Sequence, residues 1–167
     1  MDASEKRIQK LLDTLTTETL LLEKYRDREE ELRIYMKEKD WQGMNQLLER
    51  LDLLSNEINS LDQRRDLVFH ELLGEYGVRE TGDFYQLVIR LPQPWQEKLA
   101  AVFRRMKVTI TQIEGISWAI DVYIRTIGES MNQILNEFYP HRKGKIYSRT
   151  GHSVPVNSNP MILNREL

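Results

Sequence analysis

Histidine is the side chain best suited to hold a metal or move a proton near neutral pH, and this chain has three: His70, His141 and His152. They are scattered. No His-x-x-x-His or Glu-x-x-His pair places two ligands on one helix face, and cysteine is absent, which excludes thiol catalysis, disulfides and Cys-ligated zinc. The Gly-rich phosphate loops GxGxxG and GxxxxGK[ST] and the nucleophile elbow GxSxG do not occur either. Carboxylates are plentiful, 26 Asp and Glu against 24 Lys and Arg, but on helices they mark solvated faces with ion pairs one turn apart. No enzyme, metal or cofactor is expected.

Two groups of charged residues stand out from this solvated background. His141, Arg142, Lys143, Lys145 and Arg149 surround Tyr147, a basic patch with an aromatic that could bind phosphates and stack a base. Cations after a helix end also simply complement the helix dipole, and the net charge of −2 offers nucleic acid no overall attraction. The second group is Arg64 and Arg65, with Arg65 inside an apolar repeat. A buried arginine needs a partner, and Glu18 is the candidate; alternatively Arg65 reaches out to solvent along its own stem.

These residues must be positioned by helices. Ile8, Leu11, Leu15, Leu22, Tyr25, Leu32 and Met36 form one heptad seam, with Glu18 and Glu29 filling two of its positions. Glu29 has no evident cation opposite and is expected at the seam's edge. Asp40-Trp41-Gln42-Gly43 breaks the chain, with Asp40 able to cap the next helix. A second seam then reads Leu47, Leu51, Leu54, Ile58, Leu61, Arg65, Val68 and Leu72. So short a connection makes the two helices antiparallel, and positions whose numbers sum to about 80 then lie opposite each other, which brings Glu18 near Arg65.

Gly74, Gly77 and Gly82 end the second helix, Phe84, Leu87 and Val88 suggest a short one, and Pro92 and Pro94 restart the chain. The third long helix carries Leu99, Phe103, Met106, Ile110, Ile113, Ser117, Ile120, Ile124, Ile127, Met131, Ile134 and Phe138 at alternating steps of four and three, and stops at Pro140. Over 94–139 it would run roughly 70 Å, too long for a small globule. Trp118 and Val122 fall roughly opposite this seam, with Ile116, Ala119 and Tyr123 flanking it. Apolar residues on several sides mean either internal core or a docking surface awaiting a partner.

The expected fold is all-α: an elongated antiparallel hairpin plus a third long helix in a coiled-coil-like bundle. Residues 1–140 form the body and 141–167, rich in Gly, Pro, Ser and Asn, a flexible C-terminal tail. The opening MDASEKRIQK lacks the apolar core of a signal peptide, and no stretch of about 18 apolar residues could span a membrane.

This order of elements resembles the flagellar export chaperone family FlgN. The likeness is carried by LLDTLTTETLLLEKY with its central Glu18, the break KEKDWQGMNQLLERLDLL, the Arg pair of INSLDQRRDLV, and the proline-initiated third helix. It continues through the tail Ile146-Tyr147-Ser148-Arg149-Thr150-Gly151 to the apolar Ile162-Leu163, so that it covers essentially the whole chain. The resemblance implies a cytoplasmic chaperone of the flagellar type III export system. Such a protein binds C-terminal helical segments of the hook–filament junction proteins FlgK and FlgL, prevents their premature assembly and delivers them to the export gate protein FlhA. On this reading Trp118, Val122, Tyr123 and Ile116 form the cargo-binding set. Tyr147, with Gly151, docks at the gate, and Glu18 pairs with Arg64 or Arg65 as a structural element. Neither nucleic acid nor stable membrane insertion is expected, and homodimerisation of the free chain stays open. The alternatives are a structural coiled-coil protein that associates only with itself and, behind it, a nucleic-acid accessory protein using the basic tail.

Overall fold

A computed structural model of the protein describes residues 3–138. The expected tail, with Tyr147, Gly151, His141 and His152, and the helix stop at Pro140 lie outside the described residues. The fold is all-α: α1 spans Ala3–Glu38, α2 Trp41–Glu75, α3 Phe84–Val88 and α4 Gln93–Phe138. The chain divides into two compact units, Met1–Ile116 and Ser117–Leu167, with the boundary inside α4.

In the first unit, α1 contains neither Gly nor Pro and turns its leucine seam inward; Ile8, Leu11, Leu15 and Leu22 are at most 2% exposed. Fully burying such a side chain stabilises by about 1.5–3 kcal/mol. The helix ends in a Schellman motif: Asp40 N donates to Tyr35 O at 3.0 Å and Lys39 N to Met36 O at 3.3 Å. Lys39 holds the left-handed position, φ 57°, where glycine is usual. Asp40 then caps α2, accepting from Gly43 N at 3.0 Å. α2 closes with the same motif, Val78 N to Leu73 O at 2.9 Å and Gly77 N to Gly74 O at 3.4 Å, and here Gly77 supplies the φ of +63°.

The hairpin is antiparallel. Ser4 Oγ meets Tyr76 Oη at 2.8 Å, Arg7 pairs with Glu75 at 2.6 Å, and Arg65 with Glu18 at 2.7 Å, so numbers fall along α2 as they rise along α1. Asp83 caps the single turn of α3 by accepting from Gln86 N at 2.8 Å. Phe84 of α3 stacks on Phe103 of α4, ring centroids 3.9 Å apart, and on Phe69 of α2 at 6.2 Å. These rings seat α4 on the hairpin. Leu99, Phe103, Met106 and Ile113 of α4 then join Ile8, Leu11 and Leu15 of α1 and Val68 and Leu72 of α2 in one core. Arg105 bonds Glu23 at 2.6 Å and Arg26 bonds Gln112 at 2.8 Å, so α4 follows α1 in the same direction.

Candidate partner-binding surface

The inward face of α4 within the first unit is Leu99, Phe103, Met106, Thr109, Ile113 and Ile116. Thr109 is 2% exposed and satisfies its hydroxyl on Arg105 O, at 3.0 Å. Ile116 is 8% exposed. A side chain already buried offers a partner nothing, so Ile116 leaves the cargo-binding set and is assigned to the core.

Beyond Ser117 the large apolar side chains are mostly exposed. Trp118 is 68% exposed, and Val122, Tyr123, Ile124, Ile127, Met131, Ile134 and Leu135 are all exposed. Ile124, Ile127, Met131 and Ile134 keep the four-three spacing of a bundle seam. Scattered exposed aliphatics occur elsewhere, but here they recur in a regular row. The row is also poorly suited to standing alone. Isoleucine, valine and threonine lose rotamer freedom in a helix, and Gly128, with no atom within 4 Å of an added Cβ, costs about 1 kcal/mol relative to alanine. Local support is modest: Arg125 pairs with Asp121 at 2.8 Å, and the Thr126 and Ser130 hydroxyls donate back to Val122 O and Thr126 O, each at 2.9 Å. Most helix stability comes from burying an apolar face. This segment therefore gains most from a second apolar stripe laid along it.

Trp118, Val122 and Tyr123 thus stand on exposed helix, together with the isoleucine row. That row was legible as a seam in the sequence but not as an uncovered one. The available signal was length: α4 has 46 residues against 36 and 35 in the hairpin helices.

The charged cluster lies inside the first unit. Arg65 Nη1 donates to Glu18 Oε1 at 2.7 Å and approaches the Met106 sulfur at 3.6 Å, while Nη2 donates to Asp62 Oδ1. Arg64 is exposed and is not the partner of Glu18; the helical phase turns it away from α1. Burial pushes the Glu18 carboxyl up to about 7. The charge of Arg65 opposes that rise, the charge of Asp62 adds to it, and the hydrogen bond from Arg65 again opposes it. Glu29 is also buried, 6% exposed, rather than at the seam's edge, because the inward face of α1 is wide enough to include it.

An open depression is lined by Arg26, Glu30, Arg33, Gln112, Gly115 and Ile116, but its cations are engaged: Arg26 by Asp27 and Gln112, each at 2.8 Å, and Arg33 by Glu30 at 3.0 Å. His70 is exposed beside Asp66 at 3.7 Å. Among the described residues no group of three His, Cys, Asp or Glu could hold a metal ion. Nor, among them, is any helix long and apolar enough to cross a membrane.

Compared with known proteins, the chain matches one family model, described as FlgN protein, over residues 1–155. No curated protein and no solved structure matches it.

Proposed function

This chain belongs to the FlgN family, a family of flagellar export chaperones, and from that premise we propose what it binds and where. Its cargo is the C-terminal helical segments of the hook–filament junction proteins FlgK and FlgL, held unassembled in the cytoplasm and handed to the export gate protein FlhA. The observation that carries the reading is the exposed apolar row of α4, Ile124, Ile127, Met131 and Ile134, with Tyr123 beside it and Trp118 and Val122 exposed on the other side of the helix. A chaperone for helical, aggregation-prone ends must itself display a long apolar stripe, and completing a bundle with the cargo helix satisfies both partners. The protein acts by binding, not by catalysis.

Delivery is assigned to a separate element. Tyr147, between Gly144 and Gly151 and flanked by cations, lies past the helix and carries a large amphipathic ring suited to docking on FlhA. The competing reading is self-association, favoured by isoleucine at three of the four core positions of the exposed seam, Ile124, Ile127 and Ile134. A pull-down from lysate containing flagellar subunits, with the full chain and with a chain lacking 141–167, tests the proposal. FlgK and FlgL retained by both chains, and FlhA by the full chain alone, is the expected result. Recovery of no junction protein, with the chain eluting as a homo-oligomer, would establish the competitor instead.

A further inference from the structure

Three charges meet inside the first unit, and they do not balance. Arg65 on α2 serves two carboxylates, Glu18 across on α1 and Asp62 one turn earlier on its own helix. With both ionised the cluster carries one net negative charge, at a place where Glu18 is 3% exposed and Arg65 9%. One Glu18 oxygen accepts from Arg65; the other, Oε2, is buried with no hydrogen-bond partner. Leaving an ionised oxygen so placed is costly. A proton on it removes the excess charge and leaves Arg65 and Asp62 as a balanced pair. Among the described residues α4 contributes the Met106 sulfur to the cluster, and its Arg105 is turned to Glu23 through two hydrogen bonds of 2.6 Å.

We infer that this cluster is a proton-binding site: Glu18 takes up a proton as the helices close around it, so that the fold is tighter in mildly acidic than in mildly alkaline solution. In the unfolded chain Glu18 titrates near 4.5, and in the folded protein near 7. Between those values the folded state holds more protons than the unfolded one, so stability falls as pH rises. The contribution is fully present below about 4.5 and is lost as pH climbs through about 7. For this single group the folding constant drops roughly 30-fold between about pH 5.5 and pH 8.

The test is urea unfolding of the full chain, followed by far-ultraviolet circular dichroism across that pH range, for the wild type and for Glu18→Gln. Glutamine keeps an acceptor for Arg65 and has no proton to take up, while the remaining titrating groups are common to both proteins. The ratio of the wild-type to the variant folding constant should fall roughly 30-fold from the acidic to the alkaline end. A ratio constant with pH would overturn the inference. Should the variant not fold, carbon-13 resonance of the Glu18 carboxyl in the wild type decides: a midpoint near 7 supports the site, and one in the ordinary carboxylate range removes it.

Discussion

Truncating Trp118 to alanine separates docking from folding. The side chain is 68% exposed, so its loss should leave the fold's stability within about 0.5 kcal/mol. A tryptophan buries about 150–250 Å² when covered, so a partner lying over Trp118 removes roughly 100–170 Å² more from water. At about 25 cal/mol per Å² that corresponds to about 2.5–4 kcal/mol. Ordering the ring and covering it imperfectly reduce the figure, and a loss of about 2 kcal/mol, or about 30-fold in Kd, is expected. Calorimetric titration of wild type and Trp118→Ala with a FlgK C-terminal segment reads the difference, and circular dichroism checks that helicity is kept. An affinity within about twofold of wild type, with the helix intact, would refute the assignment of Trp118 to the docking face.

Three further outcomes follow from other parts of the chain. Reversing Glu18 to arginine or Arg65 to glutamate should each cost at least about 3 kcal/mol in thermal or urea unfolding, because each leaves like charges buried together. The double reversal should restore only part of this, since Asp62 would then face a carboxylate at position 65; single and double variants that melt alike would refute the pairing. Lys39→Gly should raise stability by up to about 1 kcal/mol, measured by urea unfolding, since it relieves the left-handed φ of 57°. Tyr147→Ala should leave melting temperature and cargo affinity unchanged while weakening FlhA binding and junction-protein secretion; a clear fall in melting temperature would show a folding role instead.

The hairpin was legible because its register follows from arithmetic. Asp40 marks the turn, and antiparallel helices joined by so short a link set Glu18 against Arg65. Capping residues were equally plain, as Asp40 shows. The inward face of α4 was less so. A strict heptad names Ile110 and Ser117, whereas the structure buries Thr109 and Ile116 more deeply. A straight α-helix drifts about 20° per heptad from an ideal 3.5-residue repeat, which is enough to trade neighbours at the edge of the stripe. The same blindness explains Glu29, whose burial depends on the width of a contact that periodicity does not report. Above all, spacing says that Ile124, Ile127, Met131 and Ile134 share one face, and says nothing of what covers it. That depends on tertiary contacts, which is why the sequence offered Trp118, Val122 and Tyr123 as docking candidates while the isoleucine row joined them only with the fold.

Direct titration of the purified full chain with C-terminal segments of FlgK and FlgL addresses the central claim. Saturable one-to-one binding is expected, with a negative heat-capacity change from apolar burial and little weakening as salt rises. Replacing Ile124, Ile127, Met131 and Ile134 by glutamine should abolish it while the first unit keeps its melting transition. No binding to either segment, or equal binding by the glutamine variant, would contradict the account.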